Sequence, residues 1–200
     1  MRRSLAWTVL AGALVATLVV GLSLWSRQHS FSQSPAPALA SAIGGPFRLI
    51  DQSGAAIDQR LLLGKWTAVF FGYTSCPDVC PTTLAALGEA SAGLGGNRNH
   101  FQVVFITVDP ERDTPPVLAR YLASATFPKG VIGLTGAPAQ IAQAAHAYRV
   151  FYQKVPQGGS YVMDHTAVVY LMDPKGRFVE PLDVSVSPAK ISLLINQAMG

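Results

Sequence analysis

Two thiols are the most reactive side chains in this 200-residue sequence. Cys76 and Cys80 are its only cysteines, and they stand in the stretch FGYTSCPDVCPTTL with three residues between them. Two thiols at this spacing can form a disulfide, exchange electrons with a partner disulfide, or supply part of a metal site. A purely structural disulfide is disfavoured, because closing so short a loop adds little stability.

His165, in YVMDHTAVVYLMD, is the candidate third member of the site. Two thiolates and one imidazole form a soft ligand set that suits Cu(I), Cu(II) or Zn(II) and disfavours Mg or Ca. Three protein ligands would leave one coordination position open, as a carrier that must release its metal requires. The alternative is a histidine that caps the end of a strand with a hydrogen bond.

Apolar runs of strand length alternate with helical stretches, which predicts an α/β domain. The continuous runs Trp66 to Tyr73 and Phe101 to Asp109 predict strands buried on both faces. The other predicted elements are a strand in VIGLTG, helices in PTTLAALGEASA, TPPVLARYLASA, APAQIAQAAHAYRV and SPAKISLLINQAM, and hairpins turning at Ser53-Gly54 and at Asp173 to Gly176. Hairpins near both ends of the domain indicate a central mixed sheet.

This order places the cysteines between the end of a buried strand and the start of a helix. Sites in open α/β sheets gather at the carboxyl ends of strands, and N–H groups at a helix N-terminus favour thiolate over thiol. The placement is thioredoxin-like, with one extra residue between the cysteines. In such a domain the segment entering the strand after His165 crosses beside Cys76 and Cys80, so topology predicts that the three lie close together. Gly158 and Gly159 predict a mobile loop that carries the histidine.

The motif VDPERDTP, Val108 to Pro115, follows the second buried strand and therefore reaches the same sheet edge as the cysteines. We interpret it chiefly as a turn and a helix start, with Thr114 as the N-cap. Asp109, Glu111 and Asp113 are candidates for a partner surface.

The N-terminal segment is uncharged from Leu5 to Trp25, enough for a helix of roughly 30 Å that crosses a bilayer. Arg2 and Arg3 precede this segment, so the positive-inside rule predicts a cytoplasmic N-terminus. We therefore predict a single-pass protein of a bacterial-type inner membrane with its soluble domain on the periplasmic side. Its predicted parts are a membrane anchor at 1–27, a flexible Ser-, Pro- and Ala-rich tether at 28–43, and a thioredoxin-like domain at 44–200.

A signal peptide cleaved near Ala38, Ala40 or Ala42 is the rival interpretation of this segment. A signal h-region is typically about 7–15 residues long, and these alanines lie well beyond the apolar run, so we favour the anchor. Both interpretations export the domain to an oxidising space.

Charge gives no indication of a nucleic-acid partner. Three of the 15 Lys and Arg residues lie in the first 45 positions, which contain none of the 11 Asp and Glu residues. The predicted domain is therefore nearly neutral, and it has no run of basic residues that would follow a phosphate backbone.

Three motifs together resemble the SCO/SenC family of copper chaperones: FGYTSCPDVCPTTL, ITVDPERDTP and VMDHTAVVYLMDPKG. The resemblance covers about Gly44 to the C-terminus. It implies a membrane-anchored, thioredoxin-like protein that binds a copper ion and helps to build the binuclear copper A centre of cytochrome c oxidase. The implied partners are the copper A subunit, other copper chaperones and thioredoxin-like reductants.

The resemblance also assigns roles to single residues. It implies that Cys76, Cys80 and His165 are the copper ligands. Asp164 matches the acidic neighbour of the ligand histidine and would orient its ring or contact a partner, and the alternative is a solvated loop carboxylate. Asp78, between the cysteines, would tune the site or merely favour the turn before the helix.

Copper delivery has one main rival, a thiol-disulfide oxidoreductase that keeps the oxidase cysteines reduced. The oxidoreductase needs only Cys76 and Cys80, whereas the copper carrier also needs His165. A peroxidase-like protein is disfavoured, because the cysteine motif contains no arginine that could activate a single thiolate. Any enzymatic activity would then be thiol-disulfide exchange.

Overall fold

The computed structural model describes residues 43–200, which form a seven-stranded mixed sheet, four α-helices and a separate two-stranded ribbon. Within these residues no helix has the length and apolar content needed to cross a membrane. The predicted anchor and nearly all of the predicted tether lie outside the described residues. The elements are β1 (Arg48–Asp51), β2 (Ala56–Asp58), β3 (Trp66–Gly72), α1 (Val79–Ala92), β4 (Phe101–Thr107), α2 (Pro115–Leu122), β5 (Ile132–Thr135), α3 (Pro138–Ala147), β6 (Tyr152–Gln157), β7 (Ser160–His165), β8 (Val169–Met172), β9 (Phe178–Leu182) and α4 (Pro188–Met199).

β3 and β4 occupy the centre of the sheet, whose strand order is β2-β1-β5-β4-β3-β8-β9. They run parallel, with Trp66 opposite Phe101 and Gly72 opposite Thr107. Nearly all of their side chains are buried, which explains why both segments are continuous apolar runs. Because the strands are parallel, their carboxyl ends reach the same edge, where the cysteine motif follows β3.

Hairpins flank this centre and confirm the predicted mixed sheet. β1 and β2 are antiparallel, and the Asp51 carboxylate accepts a hydrogen bond from the Ser53 N–H (2.8 Å) in their turn. β8 and β9 are antiparallel, and the Asp173 carboxylate accepts from the Lys175 N–H (2.9 Å) in the second turn. β1 runs antiparallel to β5 and β8 antiparallel to β3, which joins both hairpins to the parallel strands.

The helices lie where the sequence predicts them, with differences of up to three residues at their starts and ends. α1 begins at Val79, just before the predicted start at Pro81, which occupies the first turn, where its missing N–H costs no helical hydrogen bond. Thr114 is the N-cap residue of α2 as predicted, but its side chain makes no capping hydrogen bond. α1 packs against α4, α2 against β5 and α3 against β1.

The segment before His165 is a β-hairpin rather than the predicted loop, and the mobility of this segment remains a prediction. β6 and β7 are antiparallel along their length and pair Tyr152 with His165. Gly158 and Gly159 have φ values of +54° and +79°, and two positive φ angles in succession are the geometry of a tight two-residue hairpin turn. Pro156 and the exposed polar side chains of β6 conceal this strand in the sequence.

Candidate metal centre

The cysteine motif begins where β3 ends, at Gly72. A Cβ at this position would lie 2.8 Å from Cys80 Sγ and 2.8 Å from the Phe105 ring, so the glycine makes room for the sulfur. The N–H of Cys76 donates to the carbonyl of Tyr73 over 3.3 Å, which closes the turn after the strand. Cys80 follows in the first turn of α1. A strand end and a helix start therefore hold the two thiols, as predicted.

The two thiols have unequal surroundings. Cys80 is fully buried, whereas Cys76 is partly exposed, and both are free. The N–H of Cys80 donates to the Sγ of Cys76 over 3.4 Å. Burial raises the pKa of the Cys80 thiol far above its ordinary value, and the neighbouring Cys76 thiol adds to this rise. The expectation that the helix start favours a thiolate is therefore wrong for Cys80, because burial outweighs it.

His165, the last residue of β7, reaches the cysteines as the topology predicts. Its Nε2 lies 3.7 Å from Cys80 Sγ, and its Nδ1 lies 3.1 Å from the backbone carbonyl of Thr166. A carbonyl can only accept a hydrogen bond, so we assign the proton to Nδ1 and leave Nε2 free to face the sulfur. Tyr73 packs edge-on against the imidazole at 5.8 Å between ring centroids. Burial lowers the pKa of His165, against the opposing effects of the Thr166 carbonyl and the Asp164 charge.

The spacing of Cys80 and His165 fits a shared metal ion. Metal–sulfur and metal–nitrogen bonds of about 2.3 and 2.0 Å at a tetrahedral angle of about 109° place the two ligand atoms about 3.5 Å apart. The observed distance between Nε2 and Sγ is 3.7 Å. Among residues 43–200, no three His, Cys, Asp or Glu side chains already form a metal-binding group. The predicted sphere that also includes Cys76 remains a prediction.

The two predicted supporting carboxylates are exposed and accept hydrogen bonds from residues outside the predicted site. Asp164 is exposed and accepts a hydrogen bond from Gln153 Nε2 (3.3 Å) on the neighbouring strand. The Thr166 carbonyl therefore orients the imidazole, while Asp164 acts on it through charge. Asp78 is exposed at the start of α1 and accepts from the Thr82 hydroxyl (3.3 Å). Contact of either carboxylate with a partner remains a prediction.

Two of the three carboxylates assigned to a partner surface lie inside the protein, so that prediction is wrong for them. Asp109 is 1% exposed and Asp113 is 0% exposed, and of the three only Glu111 is exposed. The Asp113 carboxylate accepts hydrogen bonds from the N–H and hydroxyl of Thr74 (2.9 and 2.5 Å) and from the Thr107 hydroxyl (2.6 Å). It ties the cysteine motif to the end of β4.

Sequence reasoning missed the contact between Arg112 and Tyr161, which lies on the strand that carries the histidine. The guanidinium carbon of Arg112 lies 3.9 Å from the centroid of the Tyr161 ring. One signal was available for Tyr161, because it alternates with Met163 and His165 and would share a face with them in a strand. Arg112 stands in a turn motif where no local pattern indicates its partner.

The fold is that of a thioredoxin-like α/β domain, in which the buried Cys80 has both Cys76 and His165 as neighbours. The SCO1/SenC family model matches residues 35–200 of this chain. The chain therefore belongs to the SCO1/SenC family.

Solved structures and curated relatives agree with this assignment. The structure of Bradyrhizobium japonicum ScoI with copper bound is 46% identical, with a TM-score of 0.72 over 78% of this chain and 99% of that one. The crystal structure of Arabidopsis thaliana ScoI with copper bound is 38% identical, with a TM-score of 0.74 over 79% of this chain and 98% of that one. The Arabidopsis thaliana protein SCO1 homolog 1, mitochondrial, is 44% identical over 142 residues, which span 70% of this chain and 42% of that relative.

Proposed function

We propose that this protein is a membrane-anchored copper metallochaperone that delivers copper to the binuclear copper A site of cytochrome c oxidase. The observation that carries the proposal is the approach of His165 Nε2 to Cys80 Sγ, beside the second thiol of Cys76. Family membership and the copper-bound structures of relatives support copper as the cargo. In this proposal residues 1–27 anchor the protein, 28–43 form the tether, and 44–200 bind copper on the periplasmic side.

The surroundings of each ligand suggest how the cargo is held and released. Thiolate is the form that binds metal, so loading releases the thiol protons of Cys76 and Cys80. The hydrogen bond from Nδ1 of His165 to the Thr166 carbonyl leaves Nε2 able to bind without losing a proton. Cys76 is the more exposed sulfur, so a partner's ligands would reach the ion on its side first. Stepwise ligand exchange on that side would transfer the ion.

A thiol-disulfide oxidoreductase is the second candidate, favoured by two free thiols that lie side by side. The thiolate of Cys76 would attack a disulfide of the oxidase, form a mixed disulfide and expel one partner thiolate. Cys80, after losing its proton, would displace the second partner thiolate. The products are a Cys76–Cys80 disulfide and a reduced partner, and this transfer of two electrons does not need His165.

The variant His165→Ala separates the two functions. We expect it to weaken Cu(I) binding by about 100-fold or more, because losing a ligand costs at least as much as losing outer-shell support, roughly 10–100-fold. Dithiol–disulfide cycling should continue, since both thiols remain. The measurements are Cu(I) competition titration, thiol counting after reduction and oxidation, and copper A assembly, all with the full-length protein.

His146→Ala is the matched control, because His146 is an exposed histidine on α3 and should leave all three measurements unchanged. Normal copper A assembly by His165→Ala despite lost copper retention would favour the oxidoreductase. Unchanged copper retention would show that His165 is not a ligand.

A further inference from the structure

The hairpin that carries His165 stands apart from the main sheet. In the part of the chain that the structure describes, β6 and β7 pair only with each other. A two-stranded hairpin alone is at best marginally stable in water, so side-chain contacts with the rest of the domain must hold it in place. Tyr161, Met163 and His165 alternate along β7 and share one face. Contacts that fix Tyr161 therefore also fix the position of His165.

Tyr161 is held by Asp109 and Arg112 from the loop after β4, and we call these three residues the Arg112 clamp. The Arg112 guanidinium stacks over the Tyr161 ring, and its Nη1 donates to the backbone carbonyl of Tyr161 over 3.0 Å. The Tyr161 hydroxyl donates to Asp109 Oδ1 over 2.9 Å. Asp109 Oδ2 accepts from the Nε of Arg112. These contacts form a closed ring between the hairpin and the β4–α2 loop.

The loop side of the clamp is firmly attached to the sheet edge. The Asp109 side chain is fully buried. The backbone N–H of Asp109 donates a hydrogen bond of 2.9 Å to the hydroxyl of Thr107, at the end of β4. Arg112 N–H donates to the Asp109 carbonyl over 3.2 Å, which closes the turn. A guanidinium uses its planar fork and its flat face at the same time, which a lysine ammonium cannot do.

Tyr73 connects the clamp to the cysteines. Its ring centroid lies 5.8 Å from the Arg112 guanidinium carbon and 5.8 Å from the centroid of the His165 imidazole. Tyr73 is 3% exposed and leads directly into the cysteine motif. The imidazole thus contacts both Tyr73 and Cys80, and it would lose both contacts if β7 moved away from the domain.

We propose that Arg112 is a positioning residue for the metal centre. Through Tyr161 and Asp109 it holds the β6–β7 hairpin against the domain, so that His165 reaches Cys80. This inference rests on the proposed function, because it concerns His165 as a metal ligand. Arg112 acts through the hairpin and not as a ligand.

A double-mutant cycle on the full-length protein tests the clamp by Cu(I) competition titration. Arg112→Met should weaken Cu(I) binding about 10–100-fold, the usual effect of losing outer-shell support. In the His165→Ala background the same change should have an effect of less than about 2-fold, because two residues that act through one contact are not additive. Arg112→Lys keeps the positive charge but loses the planar guanidinium, so its Cu(I) affinity should stay as low as that of Arg112→Met.

Two further variants complete the experiment. Arg177→Met is the matched control, since Arg177 also forms an ion pair with an aspartate, Asp173. Asp173 follows β8, whose last residue, Met172, pairs with Thr67 at the start of β3. This ion pair is therefore at the opposite end of β3 from the cysteines. Arg177→Met should leave Cu(I) affinity unchanged. Tyr161→Leu opens the clamp from the hairpin side and should weaken binding as Arg112→Met does, so it decides the question if Arg112→Met does not fold.

The possible failures are distinguishable. If His165→Ala weakens binding but Arg112→Met and Tyr161→Leu do not, the clamp is wrong and the proposed function stands. If Arg112→Met weakens binding equally with and without His165, the clamp is also wrong, because Arg112 then acts on the thiols or on the fold. If Arg112→Lys restores full affinity, charge and not the clamp explains the effect. If His165→Ala does not weaken binding, His165 is not a ligand, so both the proposed metal site and the clamp are overturned.

Discussion

At the scale of single residues, the site depends on how differently the protein surrounds two identical thiols. Cys80 is buried against Gly72 and Phe105, and burial raises its pKa. Cys76 lies in the turn before α1, is partly exposed and accepts a hydrogen bond from the helix start. Cys76 is therefore the more accessible sulfur, and Cys80 is the one that the fold protects.

Alkylation of the reduced protein should reveal this difference. At neutral pH we expect iodoacetamide to modify Cys76 at least about 10-fold faster than Cys80, because a buried thiol that keeps its proton is a poor nucleophile. Peptide mass mapping over time gives the two rates. In denaturant the rates should become similar, which is the control, and equal rates in the folded protein would contradict the assignment.

At the scale of elements, the site is built where two parallel strands end at one edge. Asp113, in the loop after β4, joins this edge to the cysteine motif through Thr74 and Thr107. Burial raises the pKa of Asp113 above its ordinary value of 3.8, although the hydrogen bonds from both threonines act in the opposite direction. The Asp113 side chain thus connects two segments of the domain, although burying its ionised form costs free energy.

The pH dependence of stability should show this cost. A folded-state pKa above the unfolded value means that the folded protein retains a proton which the unfolded chain has already released. The stabilisation from protonated Asp113 is therefore complete below about pH 4 and is lost as the pH rises through the folded-state pKa. We expect the free energy of unfolding of the wild type, relative to Asp113→Asn, to be greatest near pH 4 and smaller at pH 7.

Urea unfolding of both proteins across this pH range measures the difference. The variant cannot titrate at this position and serves as the reference for all other carboxylates. A difference in unfolding free energy that grows as the pH rises would show that the hydrogen bonds outweigh burial. The pKa of Asp113 would then be lowered in the folded protein and not raised.

At the scale of the whole molecule, the proposed function requires export and tethering near the membrane. The uncharged segment from Leu5 to Trp25, preceded by Arg2 and Arg3, predicts an uncleaved anchor with residues 46–200 outside the cytoplasm. We expect the protein to be found in the membrane fraction with its original N-terminus, and its domain to be accessible to protease from the periplasm. A mature N-terminus near Ser41 or Ala42 would contradict the anchor while leaving export intact.

The sequence by itself determined the central elements and the residue types of the site. β3 and β4 were predictable because a strand buried on both faces must be a continuous apolar run. The two cysteines were predictable at a strand end and helix start because this placement follows from the order of neighbouring elements. The turns at Ser53 and Asp173 were predictable because such turns contain side chains, here those of Asp51 and Asp173, that accept a hydrogen bond from the backbone N–H two residues later.

Only the tertiary structure decided which distant residues contact the hairpin that carries the histidine. The β6–β7 hairpin has an exposed, polar first strand, so no hydrophobic period indicates it, and its position depends on contacts with another segment. Asp109 and Asp113 look like surface carboxylates in the sequence, yet hydrogen bonds from distant or neighbouring side chains permit their burial. Arg112 and Tyr161 are far apart in the chain and meet only when β7 lies against the β4–α2 loop. Local patterns record the period of a strand or helix, whereas contacts between remote segments exist only in the packed fold.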